Sequence, residues 1–99
     1  MGEDLEHLQK ENAVSRVLKL LDSENFPLVT INIIGHQIKN VVITRYFKST
    51  NEEFFVAKPV EGINKVGSHN IPLRVLSSIV FHNQSYAYKN NVYSVILKS

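Results

Sequence analysis

Leu28-Val29-Thr30-Ile31-Asn32-Ile33-Ile34-Gly35-His36 is the stretch that decides the fold. Its period is two: Val29, Ile31 and Ile33 fall on one face, and β-branched residues dominate, as a pleated, half-buried strand requires. Gly35-His36 supplies a turn, and residues 38–47 return with the same character, so the segment predicts an antiparallel hairpin. Downstream, Lys48-Ser49-Thr50-Asn51 reads as a second turn, and Glu53-Phe54-Phe55-Val56-Ala57-Lys58 as a strand closed by Pro59. Residues 61–69 hold two glycines and no clean period, which marks the one extended connection. Ile71, Leu73 and Val75 restart an alternation that runs to Phe81. His82-Asn83-Gln84 then turns the chain into Tyr86-Ala87-Tyr88, and Asn90-Asn91 turns it into residues 92–97. The expectation is a mainly β fold, a small split or closed antiparallel barrel of about six strands, because closure removes the edges that a flat sheet would expose.

Upstream, the period changes to that of a helix. Val14, Val17, Leu18 and Leu21 recur at i, i+3, i+4 and i+7, with Asn12 placed as the cap, which predicts one amphipathic helix over residues 12–21. Leu5 and Leu8 either extend its stripe or belong to a frayed arm. Ser23-Glu24-Asn25 followed by Pro27 ends the helix, since proline disfavours helical geometry in the residue before it. The chain therefore divides into residues 1–25, arm and helix, and residues 26–99, barrel, within one domain.

Ninety-nine residues, 43% of them hydrophobic and 20% charged, suit a single small globular core. Absence of cysteine excludes disulfides, thiolate metal sites and cysteine nucleophiles, and is compatible with a reducing cytoplasm. No segment approaches the roughly 18 consecutive apolar residues of a membrane span, and Met1-Gly2-Glu3-Asp4 is acidic where a signal peptide would be basic. The formal charge of +2 conceals an asymmetry, −3 over residues 1–25 and +5 over residues 26–99. Such a field steers acidic partners, although lysines spaced singly along strands also serve as solvated faces and edge protection.

The spacings that catalysis needs are missing. His7, His36, His69 and His82 form no pair at metal-ligand spacing. There is no G-x-S-x-G elbow, P-loop or G-x-G-x-x-G, and the paired acids Glu52 and Glu53 point to opposite faces of a strand. Asn83-Gln84-Ser85 matches a glycosylation sequon without a secretory signal to give it a compartment. The expectation is a non-enzymatic protein with no metal and no cofactor. The aromatics carry more information: Phe54 and Phe55 occupy opposite faces, whereas Tyr86 and Tyr88 share one, either capping the core or forming a docking platform. Candidate partner-binding residues are Phe47, Tyr86 and Tyr88, with Lys65 and His69 from the glycine-containing loop, because loops on rigid scaffolds carry binding.

Several stretches together resemble the N-terminal domain of YcgR-type flagellar brake proteins, which precedes a PilZ domain that binds cyclic di-GMP. They are the short helix Lys10-Glu11-Asn12-Ala13-Val14-Ser15-Arg16-Val17-Leu18-Lys19-Leu20-Leu21, then Phe26-Pro27-Leu28-Val29-Thr30-Ile31, and Val41-Val42-Ile43-Thr44 after Gly35. Phe54-Phe55-Val56-Ala57-Lys58-Pro59, Ile71-Pro72-Leu73-Arg74-Val75, Ile79-Val80-Phe81 and Tyr86-Ala87-Tyr88 with Val92 continue it. The resemblance implies a split barrel that regulates through contacts with a protein partner, a PilZ domain or a flagellar motor component, in the cytoplasm. The R-x-x-x-R and D/N-x-S-x-x-G motifs of the second-messenger site are absent, so this chain alone is not expected to bind cyclic di-GMP. A helix followed by a small barrel is also the order of Sm-like RNA-binding proteins. A nucleic-acid-binding barrel, Sm-like or OB-like, is accordingly the second functional expectation.

Overall fold

The computed structural model describes residues 5–96. Strand β1 (Leu5–Gln9) runs directly into helix α1 (Lys10–Asp22), followed by β2 (Phe26–Ile33), β3 (His36–Lys48), β4 (Glu53–Pro59), β5 (His69–Pro72), β6 (Leu76–Lys89) and β7 (Val92–Ile96). Single 3-10 turns cover Val60–Gly62 and Leu73–Val75. All pairings are antiparallel, in the order β1-β6-β2-β3-β4-β5, with β7 also on β6.

The sheet curls strongly but does not close. Four strand spacings separate β5 from β6, about 19 Å if flat, yet the chain crosses from Pro72 to Leu76 through Leu73–Val75, a span that reaches about 14 Å at most. The curl is therefore sealed only by this covalent link, not by a ladder between edges; the Ile34 N–H, donating to the Val75 carbonyl at 3.2 Å, extends the β2–β6 pairing beyond Ile33 and Leu76. That corrects the closed form of the expected barrel and raises the described strands from six to seven. The extra strand is β1. Leu5–Gln9 shows neither a strand period nor a turn before it, so only its partner β6 makes it a strand. Met1 to Asp4 and Leu97 to Ser99 lie outside the described residues.

His82-Asn83-Gln84 is not a turn. Between Pro27 and Val29 strand β2 advances two residues while β6 advances four, from Phe81 to Ser85, so the polar triplet is absorbed as a bulge opposite Leu28, beside a proline that has no N–H to donate. β6 consequently stays continuous over fourteen residues, its first half paired with β1 and its second with β7. Asn90-Asn91 is the predicted turn. Both residues have positive φ, 54° and 66°, as a type I′ hairpin demands. The first hairpin turns on Ile34-Gly35, one residue earlier than expected, with His36 paired to Ile33.

Helix α1 covers one face of the curl. Ala13 and Val17 are buried against Val29, Ile31, Val41, Ile43, Phe55, Ile79 and Phe81. The opposite face, open to solvent, carries polar groups at one end. Asn32 Nδ2 donates to Ser78 Oγ at 2.9 Å, Gln37 Nε2 donates to Asn32 Oδ1 at 2.7 Å, and His7 Nε2 lies 2.9 Å from Ser78 Oγ. Thr30 Oγ1 and His82 Nε2 are 2.8 Å apart. Ser78 and Thr30 are buried, so these partners supply the hydrogen bonds that burial makes obligatory. At the other end of the open face Leu28, Val42 and Ile63 form a second, smaller core with Phe26, Tyr86 and Tyr93.

The N-cap of helix α1 is Gln9, three residues before the expected Asn12, and its side chain makes no capping hydrogen bond. It ends in a Schellman motif: Asn25 N–H donates to the Leu20 carbonyl at 2.8 Å, and Glu24 N–H to Leu21 at 2.9 Å. Glu24 occupies the left-handed position with φ 60°, where glycine is free of the Cβ penalty. Glu24→Gly is expected to stabilise the fold by about 1 kcal/mol, raising the melting temperature by about 4–8 °C. Thermal denaturation followed by circular dichroism checks it, and a lower midpoint would contradict the motif.

Candidate functional site

The open face gathers tyrosines and lysines around a shallow hollow. The two-residue turn makes Lys89 and Val92 the hydrogen-bonded pair of the β6–β7 hairpin, so Tyr93, opposite Tyr88, directs its backbone N–H and C=O away from β6. The side chain of Asn64 takes both: Tyr93 N–H donates to Oδ1 at 2.7 Å, and Nδ2 donates to the Tyr93 carbonyl at 3.2 Å. One amide thus stands in for a neighbouring strand and pins the long loop to the sheet. Lys58 holds the same loop from β4, its Nζ donating to the carbonyls of Lys65 at 2.8 Å and Gly67 at 3.1 Å.

Between these anchors lies a hollow of about 300 Å³ lined by Lys58, Ile63, Asn64, Lys65, Tyr88 and Tyr93 among others. The Tyr88 and Tyr93 rings are 4.5 Å apart and tilted by 45°, and Phe26 meets Tyr93 edge-on at 5.8 Å. Tyr88 is 48% exposed, Val95 is exposed, and Val66 stands fully in solvent. Burial, with a smaller contribution from Tyr88, pushes the Tyr93 phenol above its ordinary value, opposed by a hydrogen bond with Thr44. Thr44 reaches this point because it is the bulged residue of β3, where Ile43 pairs with Ala57 and Arg45 with Val56.

Of the expected partner-binding residues, the structure brings Tyr88 and Lys65 into one hollow and sets Tyr86 beside it, half-buried in the smaller core. Phe47 lies apart, exposed near the end of β3, with its ring 5.3 Å from Phe54 and the Arg45 guanidinium 4.6 Å over it. His69 is exposed at the start of β5, opposite Ala57, and does not line the hollow. Tyr93, Asn64 and Lys58 are the additions. Val92 to residue 97 alternates, which places Tyr93 at a cross-strand position, but no signal in the sequence pairs Asn64 with a residue 29 positions away.

A larger hollow of about 560 Å³ lies where α1 meets the β3–β4 turn, lined by Lys10, Lys48 and Arg74 together with Glu11, Glu52 and Glu53. Its opposite charges cancel internally. Arg74 Nε donates to Glu52 at 2.9 Å, and the Tyr46 hydroxyl donates to Glu53 at 2.7 Å. Among the described residues no three histidines, aspartates or glutamates converge in a way that could hold a metal ion. No described helix is long and apolar enough to cross a membrane.

Fold and site together define a helix-backed, curled antiparallel sheet with an aromatic and basic hollow on its uncovered face. No protein-family model, curated protein or solved structure matches the chain.

The anchors of the hollow are testable separately from any ligand. Asn64→Ala removes both hydrogen bonds to Tyr93 at an exposed position. It is expected to cost about 1 kcal/mol and to speed amide exchange at Tyr93, whose N–H then faces water. Unchanged exchange at that amide would show that Asn64 does not protect the edge of β7.

Proposed function

We propose that the protein is a non-enzymatic regulatory module that docks a protein partner on the open face of its sheet, in the manner implied by the resemblance to the brake proteins. The partner is a PilZ domain or a flagellar motor component in the cytoplasm. One observation carries the reading: Tyr88 and Val66 are exposed around a hollow whose walls are fixed by Asn64 and Lys58. Rigid tyrosines beside a cation are the composition of binding hot spots, and a preformed wall reduces the ordering cost of association. Cyclic di-GMP is not bound by this chain alone, because the arginine and serine motifs that hold it are missing.

Calorimetric titration with a cyclic di-GMP-loaded PilZ domain tests this. The expected result is saturable binding to the wild type, weakened about tenfold or more by Tyr88→Ala, with no heat from cyclic di-GMP alone. Equal affinity for wild type and Tyr88→Ala, or direct binding of the dinucleotide, would overturn the reading.

The convergence of tyrosines and lysines also supports a second reading, single-stranded nucleic acid stacked on Tyr88. Among the described residues, only Lys58 and Lys65 line the hollow as cations. Binding there would show a log–log salt slope of about −1.4.

A further inference from the structure

We infer that the segment entering this hollow is an acidic peptide carrying an apolar side chain; the inference rests on the protein-docking reading above. The hollow is lined by Lys58 and Lys65 and by no carboxylate among the described residues. Lys58 is half-buried and committed to two loop carbonyls, so its charge is held at a fixed place. The Lys65 ammonium, exposed on the same loop, has no hydrogen-bond or ion-pair partner among the described residues and is free to meet an incoming carboxylate. Two like charges on one wall repel each other and attract an anion, and the excess of +5 over residues 26–99 extends that preference beyond the hollow.

The remaining surface is apolar. Ile63 is buried at the floor, Tyr88 presents a ring to solvent, Val66 lines the hollow, and Val95, exposed on β7 opposite Tyr86, stands outside it on the same face as Tyr93. A nucleic-acid strand would leave those valines facing phosphates, with only two cations to neutralise them. An acidic peptide satisfies both halves, carboxylates on Lys65 and Lys58 and an apolar side chain against Tyr88 and Val66.

The test is fluorescence anisotropy of this chain with the dye-labelled peptide Glu-Glu-Leu-Leu-Glu-Glu, its lysine counterpart and an oligothymidylate of similar length. The expected result is binding of the acidic peptide alone, weakening as salt rises. Lys65→Glu is expected to reduce it about tenfold or more, whereas Lys48→Glu, in the charge-balanced hollow, changes it less than about twofold. Circular dichroism of both variants establishes that they remain folded. Equal affinity for the two peptides, tighter binding of the oligothymidylate, or equal effects of the two substitutions would overturn the inference. If neither peptide binds while the PilZ titration still depends on Tyr88, the acidic segment is wrong and the docking face stands. If both fail, both readings fall.

Discussion

Phe55→Ala is expected to lower the free energy of unfolding by about 3–5 kcal/mol. Phe55 is the largest fully buried side chain, at 0% exposure, and its ring lies 6.0 Å from Tyr46. It sits on β4 between Tyr46 of β3 and Ile71 of β5, on the face that α1 covers. Alanine there removes the ring and leaves a cavity bounded by two strands whose backbones are fixed by ladders on either side, so collapse is limited. A domain of this size has about 5–15 kcal/mol to lose, and the variant is expected to be marginal. Urea denaturation checks it: the midpoint falls while the slope stays constant. A shift equivalent to less than about 1 kcal/mol would mean that β4 and β5 do not enclose this ring.

Val17→Asp is expected to be comparably damaging, by about 3–5 kcal/mol at neutral pH. Val17 is fully buried in the hydrophobic cluster between the helix and the sheet. Arg16, its neighbour in sequence, is paired with Glu6 and stacked 4.8 Å from the Phe81 ring. A carboxyl group introduced there has its folded-state pKa raised by burial, so the folded protein binds a proton more readily than the unfolded chain. The penalty therefore grows as pH rises above about 4 and shrinks below it. Denaturation midpoints at acid and neutral pH measure this directly. A variant as stable as the wild type at neutral pH would show that α1 does not seal this face of the sheet.

The hairpin at residues 26–48 and the amphipathic helix were legible because each depends on a local period. Val29 and Ile31 do line the helix-covered face, as their alternation requires, and Val17 and Leu18 do face the sheet. What escaped sequence reading is non-local. Leu5–Gln9 becomes a strand only because the bulge at His82-Asn83-Gln84 lets β6 continue and offer an edge to it. The same polar triplet reads as a turn in isolation, since a bulge and a turn draw on the same residue types. The break at Leu73–Val75 was hidden for the opposite reason: Leu73 and Val75 keep the apolar alternation while the backbone makes a 3-10 turn that curls the sheet.

The site divides along the same line. Tyr86 and Tyr88 share a face by strand geometry alone, and the loop carrying Lys65 was recognisable from its glycines. That the two meet follows from Asn64 and Tyr93, whose pairing is a tertiary event. Phe47 and His69 satisfied the same compositional criteria, an aromatic on a strand and a polar residue beside the loop. Register places them elsewhere, Phe47 against Phe54 and His69 opposite Ala57.

The central claim is that the open face around Tyr88 and Lys65 is the docking surface. Its most direct test is a nuclear magnetic resonance titration of the isotope-labelled chain with a cyclic di-GMP-loaded PilZ domain. The account predicts that the perturbed amides cluster at Asn64, Lys65, Val66, Tyr88, Tyr93 and Val95. Perturbations confined to helix α1, or to the β3–β4 turn around Ser49 and Asn51, would contradict it.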